Sequence, residues 1–184
     1  VSPTIPNLVA IFRWLVLRQD EEALAFMLPE SEGRVWGKMP ERGDIVIFTP
    51  EGKYQDWIKR VIGLPGDTIE LREGQVFING KPVKQDAQPA LDLPIDVNNP
   101  CTESDFPGAR QTGADGKEHC YLSIIRETLP NGATYDTIDA RRSEADNVAP
   151  VKIPAGHLFL MGDNRDNSSD SRVDAIYGGL GGPV

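Results

Sequence analysis

Turn-forming residues divide the apolar residues into short runs, and this division limits the folds open to the chain. The 184 residues include 18 Gly and 15 Pro, and no long amphipathic helix pattern is evident. Apolar runs at residues 44–48, 68–71, 75–78 and 157–161 each lie within two residues of a Gly or Pro. Short apolar runs between turns are typical of strands. The sequence therefore predicts a mainly β fold.

The dipeptide Asn79-Gly80 follows the run at residues 75–78. Both residue types tolerate positive φ, so the pair favours a two-residue hairpin between antiparallel strands. A second turn is predicted at Glu73-Gly74. Residues 68–83 should therefore form an antiparallel β-meander.

The length of the chain suits one domain with an elaborated insertion. Residues 1–83 and 153–184 hold most of the longer apolar runs and are predicted to form a catalytic β core. Residues 84–152 are rich in Asp, Asn, Pro and Gly, and only residues 121–125 resemble a strand. Residues 126–149 are expected to form exposed loops, with a pair of strands as the alternative. We therefore predict an inserted, loop-rich subdomain over residues 84–152.

The two cysteines, Cys101 and Cys120, both lie in this insertion. A disulfide would staple the insertion and indicate an oxidising compartment, whereas free thiols would fit a reducing one. The sequence leaves both alternatives open. The only histidines are His119 and His157, and no metal-ligand spacing is present. No metal or other cofactor is therefore predicted.

The formal net charge of −9 argues against a nucleic-acid surface, which needs clustered Lys and Arg. The longest apolar stretch, residues 8–17, contains Arg13 and is about half as long as the roughly 20 residues that cross a bilayer. It predicts a core strand, and a membrane-interface segment around Trp14 is the alternative. Residues 20–27 are predicted to form a short helix.

Lys59 lies in the middle of an apolar run that ends at a turn beginning with Gly63. Strand alternation places Lys59 on one face with Trp57 and Val61, and Arg60 on the other face. A buried Lys loses hydration, so its pKa can fall by up to about 3–5 units. The neutral amine could then act as a general base toward a Ser hydroxyl. The alternative is a strand Lys whose ammonium group stays in water.

A polar loop, residues 162–172, directly follows the run at residues 157–161. It should fold back on itself through Asx and Ser turns. Asp163, Asp166 and Asp170 could pair with Arg165 and Arg172. The alternative is a solvated loop with weak surface ion pairs. A Ca²⁺ loop does not fit, because the spacing of its acidic ligands is missing.

With these features in view, the sequence resembles bacterial type I signal peptidases, the membrane-bound Ser-Lys endopeptidases that remove signal peptides from exported proteins. Four blocks match in the family's order: residues 2–5 (Ser-Pro-Thr-Ile), 42–48 (Arg-Gly-Asp-Ile-Val-Ile-Phe), 58–67 (Ile-Lys-Arg-Val-Ile-Gly-Leu-Pro-Gly-Asp) and the polar loop. The last two blocks are long and specific.

This resemblance implies roles for individual residues. Lys59 matches the general-base Lys, and Ser168 matches a Ser that holds that amine in place. Asp170 and Arg172 match an ion pair behind the site, while Asp163 and Arg60 match positions that support it. The implied fold is a mostly antiparallel β domain with one inserted subdomain.

The resemblance also implies substrates and location. Substrates would be the signal peptides of exported preproteins, cleaved after a small-x-small motif such as Ala-x-Ala. The enzyme would be held in the bacterial inner membrane by a segment upstream of Val1, with its catalytic domain on the periplasmic side.

The first block departs from the family pattern. Pro3-Thr4-Ile5 sets the register, which puts Val1 at the family's Met and the nucleophilic Ser one residue before Val1. We therefore expect the nucleophile to lie outside this chain, which we expect to be cut at both ends. Ser2 would be the nucleophile only if the register slips.

Two other functions remain open. A cytoplasmic Ser-Lys autopeptidase, such as an SOS-response repressor, shares the fold, but the acidic charge and the long insertion argue against it. A catalytically inactive homologue would instead bind exported peptides without cleaving them.

Overall fold

The protein is described here from a computed structural model, in which residues 39–97 and 100–184 are described. The predictions for residues 2–5, 8–17 and 20–27, and for Val1 and Ser2, lie outside these residues. Among the described residues there are eleven strands and three short 3₁₀ turns. The strands are β1 (Ile45–Phe48), β2 (Trp57–Gly63), β3 (Thr68–Arg72), β4 (Gln75–Ile78), β5 (Lys81–Pro82), β6 (Lys84–Pro94), β7 (Arg110–Thr112), β8 (Glu118–Thr128), β9 (Thr134–Ile138), β10 (Val148–Lys152) and β11 (Phe159–Met161).

The strands form three antiparallel sheets, which confirms the predicted fold class. The first sheet has the order β1-β2-β11, and the second has the order β10-β3-β4-β5. In the third sheet, β8 lies between β6 and β7 and also pairs with β9. Residue Ile138, at the end of β9, forms an isolated parallel bridge to Asn164. This bridge joins the third sheet to the polar loop.

The β-meander forms as predicted. Strand β3 pairs with β4 through the turn at Glu73-Gly74, and β4 pairs with β5 through Asn79-Gly80. Residues Glu73, Gly74, Asn79 and Gly80 all have positive φ, as such tight turns require. The local turn chemistry therefore determines the strand pairing here.

Strand β2 lies at the centre of the first sheet and contributes to two separate cores. Ile62 packs into the main core with residues from β3, β4 and β11, whereas Val61 packs with Val46 and Leu160 on the opposite side. Alternation along the strand then directs Lys59 to the Val61 side and Arg60 to the Ile62 side. The predicted division of faces along this strand is confirmed.

Strand β1 differs from its prediction as a short buried strand over residues 44–48. It begins at Ile45, and Val46 is its only buried residue; Ile45 and Ile47 are 59% and 62% exposed. Among the described strands, β1 lies at the edge of its sheet, and alternate side chains point away from the core. The run at residues 157–161 also shortens, to the three buried residues of β11.

Residues 84–152 are far richer in strands than their composition indicated. The strand predicted at residues 121–125 forms as part of β8, but β6, β7, β9 and β10 also lie in this range. Strand β6 pairs with β8 over most of its length and keeps mostly exposed residues, so it needs no apolar run. Leu129 and Tyr135 also belong to the main core. The boundaries of an inserted subdomain stay a prediction.

A disulfide joins Cys101 to Cys120, which settles the alternative that the sequence left open. The bonded cysteines form a second small core with Ala109 and Leu122. This core lies apart from the residues that form the main core. The disulfide therefore fastens the loop before β7 to β8.

Candidate active site

Lys59 lies on β2 directly opposite Val46 of β1. Its Nζ is 5.3 Å from the centroid of the Trp57 ring, and the side chain is half-buried. Partial burial lowers the pKa of Lys59 below its ordinary value; the charge of Asp170 opposes this shift, and the charge of Arg172 adds to it. A larger fraction of this amine is therefore neutral near physiological pH than for a solvated Lys.

Arg60 extends from the opposite face of β2. Its Nε and Nη2 donate hydrogen bonds of 2.8 and 2.6 Å to the two carboxylate oxygens of Asp163, and its Nη1 donates to the carbonyl of Gly43 at 2.8 Å. The guanidinium also lies 4.4 Å from the centroid of the Tyr135 ring. Arg60 thus fastens the first residues of the polar loop to β2.

A cavity of about 220 Å³ adjoins these residues. It is lined by Lys59, Arg60, Asp163, Ile45 and Ile58. The exposed aliphatic side chains of Ile45, Ile47 and Ile58 continue from it along the edge of the sheet. The site therefore combines two basic side chains and a carboxylate with an open apolar surface.

The ion pair between Asp170 and Arg172 is fully buried. Arg172 donates from Nε and Nη2 to the two Asp170 oxygens at 2.9 and 2.8 Å, and the backbone N–H of Gly162 donates to Asp170 at 2.9 Å. Burial raises the pKa of Asp170, but the hydrogen bonds and charge of Arg172 outweigh it, so the net pKa is lowered. The carboxylate therefore stays charged next to Lys59.

Ser168 directly follows the short 3₁₀ turn Arg165–Asn167. Its Oγ is buried and has no hydrogen-bond partner among the described residues. A methyl group placed on Gly162 would lie 2.2 Å from this oxygen, so Ser168 packs directly on the glycine. The structure thus offers a buried hydroxyl in the polar loop but no hydrogen bond from it to Lys59 within the described part of the chain.

The pairing predicted within the polar loop is correct only in part. Asp170 pairs with Arg172 as expected. Asp163 instead pairs with Arg60, and Asp166 accepts hydrogen bonds from the backbone N–H groups of Ala140 and Arg141. The loop is therefore bound to the surrounding strands as well as to itself.

Sequence reasoning missed the partner of Arg165. Its two terminal nitrogens donate to the two carboxylate oxygens of Glu127 at 3.0 and 2.6 Å. The side chains of Arg165 and Glu127 are only 3% and 0% exposed. Tyr135 donates to the same carboxylate at 2.6 Å. Glu127 and Tyr135 both lie in residues 84–152, where the composition did not indicate most of the strands.

In residues 39–97 and 100–184, no helix combines the length and the apolar character that crossing a bilayer requires. The same part of the chain contains no group of three or more His, Cys, Asp or Glu residues arranged to hold a metal ion.

Three of the four blocks that resemble type I signal peptidases, residues 42–48, 58–67 and 162–172, lie in the described part of the chain. They bring together the half-buried Lys59 and the buried ionic loop. The family model described as "Signal peptidase, peptidase S26" matches residues 8–183. The chain belongs to this family, and the family prediction is confirmed.

Its relatives include type I enzymes. The chain is 36% identical over 155 residues to Signal peptidase I of Rickettsia typhi and to that of Rickettsia akari; each match covers 80% of this chain and 50% of the relative. The chain therefore spans about half the length of these relatives. A solved signal peptidase I from Enterococcus faecalis V583 is 24% identical, with a TM-score of 0.37, covering 78% of this chain and 88% of that one.

Proposed function

We propose that this chain is the catalytic part of a serine endopeptidase that removes signal peptides from exported preproteins. The observation that carries the proposal is Lys59, a half-buried amine with a lowered pKa that borders an open cavity between apolar side chains. Family membership and the similarity to Signal peptidase I of Rickettsia support this function.

In the proposed mechanism, neutral Lys59 removes the proton from a Ser hydroxyl as that oxygen attacks the scissile carbonyl. Lys59 then returns the proton to the leaving amine. The position of the attacking Ser stays a prediction from the sequence, just before Val1, with Ser2 as the alternative. Backbone N–H groups near that Ser would stabilise the oxyanion.

Ser168, Asp170 and Arg172 have supporting roles in this proposal. The role of Ser168, which the resemblance implies, is to hold the Lys59 amine in place through its buried hydroxyl. The buried pair of Asp170 and Arg172 gives the loop that carries Ser168 a fixed shape. Arg60 and Asp163 attach this loop to the strand of Lys59.

The proposed substrate is an extended peptide with small residues at alternate positions before the cleaved bond. An edge strand such as β1 can pair with an extended peptide, and alternate side chains then point to the same face. We propose a place for the enzyme at the bacterial inner membrane with the site on the periplasmic side. The disulfide supports an oxidising compartment.

The proposal is tested with the protein expressed from its own start codon and a preprotein that contains an Ala-x-Ala site. Mass spectrometry of the products should show cleavage after that site, and Lys59→Ala should abolish it. Lys53→Ala is the matched control, because Lys53 is an exposed Lys in the loop between β1 and β2.

Four outcomes of this experiment, together with a peptide-binding assay, distinguish the alternatives. Cleavage after small-x-small sites that depends on Lys59 supports the proposal. Peptide binding without cleavage would identify an inactive homologue, and cleavage of the protein's own chain alone would identify an autopeptidase. Cleavage that survives Lys59→Ala would overturn the role of Lys59.

A further inference from the structure

The ion pair between Glu127 and Arg165 joins the third sheet to the polar loop. Glu127 lies on β8 and accepts four hydrogen bonds, two from Arg165 and one each from Tyr135 and Gln85. Burial raises the pKa of Glu127, but the positive charge of Arg165 and these hydrogen bonds outweigh it and the net pKa is lowered. Glu127 is therefore an anion with both oxygens occupied.

A buried ion pair gives little net stability, because the cost of removing both charges from water is comparable to their attraction. Replacing such a pair by apolar side chains is often neutral or stabilising. Stability alone therefore does not account for a charged pair at this place. The pair does, however, fix the direction of two side chains through parallel hydrogen bonds.

The hydrogen bonds continue from Arg165 toward the proposed catalytic residues. The backbone carbonyl of Arg165 accepts a hydrogen bond of 2.7 Å from Nη2 of Arg172, which in turn holds Asp170. Arg165 also begins the 3₁₀ turn that ends just before Ser168. Fixing Arg165 therefore fixes both the turn that precedes Ser168 and the pair of Asp170 and Arg172, whose charges act on Lys59.

Tyr135 connects the same cluster to Arg60. Its hydroxyl donates to Glu127 while its ring lies beneath the Arg60 guanidinium. Arg60 holds Asp163, two residues before Arg165. The start of the polar loop is thus attached at two points, and Glu127 provides the deeper one.

We propose that Glu127 is a positioning residue for the reaction, acting through Arg165 to hold the polar loop at the distance from Lys59 that catalysis needs. The inference rests on the proposed function. Glu127 itself does not touch the reacting atoms.

The first test is a pH titration of the Lys59 amine, which needs no cleavage. The protein, expressed from its own gene, is labelled with ¹³C-lysine, and the Lys59 NMR signal is assigned by its loss in Lys59→Arg. Asp170, Arg172, Arg60 and Asp163 are the charged groups that face Lys59 or line its cavity. In Glu127→Gln, a loosened loop should admit water to Lys59, so its titration midpoint should rise by about half a pH unit or more.

Asp136→Asn is the matched control. Asp136 on β9 accepts two hydrogen bonds from Arg126 on β8, the residue next to Glu127. Unlike Glu127 and Arg165, both side chains are nearly half exposed. The midpoint of Lys59 in this variant should equal that of the wild type. Glu127→Gln leaves Arg165 buried without its counterion and could therefore fail to fold. The double variant Glu127→Leu with Arg165→Met replaces both charges by apolar side chains and is expected to fold.

The second test is cleavage. In Glu127→Gln and in the double variant, kcat should fall by about 10²-fold with KM unchanged within a factor of about two, as expected for misplaced groups that still bind substrate. A folded double variant with the wild-type Lys59 midpoint and wild-type kcat would overturn the inference. If the wild type does not cleave, the proposed function fails, while the titration still decides whether Glu127 positions the loop.

Discussion

Arg60 and Asp163 lie 103 residues apart in the chain, yet they face each other through two parallel hydrogen bonds of 2.8 and 2.6 Å. Arg60 directly follows Lys59 in the chain. Asp163 lies near the start of the polar loop, which continues to Ser168. This contact therefore attaches the start of the polar loop directly to the strand of Lys59.

Arg60→Lys should lower kcat by about 10²-fold while the protein stays folded. Lysine keeps the charge but cannot form two parallel hydrogen bonds to a carboxylate. The polar loop would then shift relative to Lys59, and small misplacements cost rates of this size. Arg72→Lys is the control, because Arg72 forms a similar pair with Glu70 at the surface. Equal rates for both variants would contradict this role for Arg60.

The pH dependence of kcat/KM should follow the neutral form of Lys59. The lowered pKa means that Lys59 loses its proton below the ordinary Lys value of about 10.4. Activity should therefore rise with pH and reach its plateau at a lower pH than it would with a fully solvated Lys as the base. Lys59→Ala should lose about 10²–10⁴-fold, the usual contribution of a general base. Lys59→Arg, which stays charged, should be equally impaired. A rate that stays constant well below neutral pH would refute the role of Lys59 as base.

Gly162→Ala should impair catalysis by displacing Ser168. The added methyl group would lie 2.2 Å from Ser168 Oγ and 2.6 Å from its Cβ, so the serine must move. We expect kcat to fall by about 10²-fold, with KM little changed.

Gly156→Ala is the control for backbone strain. Gly156 has a positive φ of 78°, and a methyl group there meets nothing within 4 Å. This variant should lose about 1 kcal/mol of unfolding free energy and keep its kcat. A Gly162→Ala enzyme with wild-type kcat would show that the position of Ser168 does not matter.

Asp170→Asn should destabilise the protein at neutral pH and make its stability less sensitive to acid. Breaking a buried ion pair costs about 3–5 kcal/mol of unfolding free energy. The folded-state pKa of Asp170 is lowered, so its stabilising effect is present above the unfolded-state value of about 4 and is lost as the pH falls toward the folded-state value.

Urea unfolding at pH 5 and at pH 3 measures this effect. The decrease in unfolding free energy between these two values should be smaller in Asp170→Asn than in the wild type. Glu51→Gln, in the exposed loop after β1, should match the wild type within about 0.5 kcal/mol at both values. Equal decreases in Asp170→Asn and wild type would contradict the assignment.

Removing the disulfide should lower stability without changing the site. Cys101 and Cys120 are separated by 19 positions, and a loop of that size contributes about 3 kcal/mol of unfolding free energy. Cys101→Ala with Cys120→Ala should therefore lose about this amount, and its stability should no longer respond to reductant. The Lys59 titration midpoint should stay unchanged, because the cysteines pack in a separate small core. A shifted midpoint would show that this core supports the site.

The sequence predicted correctly those parts of the fold that neighbouring residues determine. The turns at Glu73-Gly74 and Asn79-Gly80 and the opposite faces of Lys59 and Arg60 follow from residue types and from the alternation of a strand. Most of the strands between residues 84 and 152 did not. Strand β6, for example, satisfies its backbone by pairing with β8 and keeps mostly exposed side chains, so it has no apolar pattern.

Glu127 and Tyr135 escaped prediction for a related reason. Glu127 stands between Arg126 and Thr128, so in the sequence it looks like an exposed strand residue. Its burial depends on Arg165, 38 positions away, and no local pattern contains that information. A buried charge can be recognised only once its partner is known.

Strand β2 presents two adjacent cations to opposite sides, and this arrangement bears on how the gene can change. Inserting or deleting one codon within the strand would rotate every later side chain by half a turn. Arg60 would then stand where an amine that can lose its proton is needed, and a guanidinium remains protonated in proteins. Length changes should therefore accumulate in the exposed segment between β1 and β2, while the strand itself keeps its residue count.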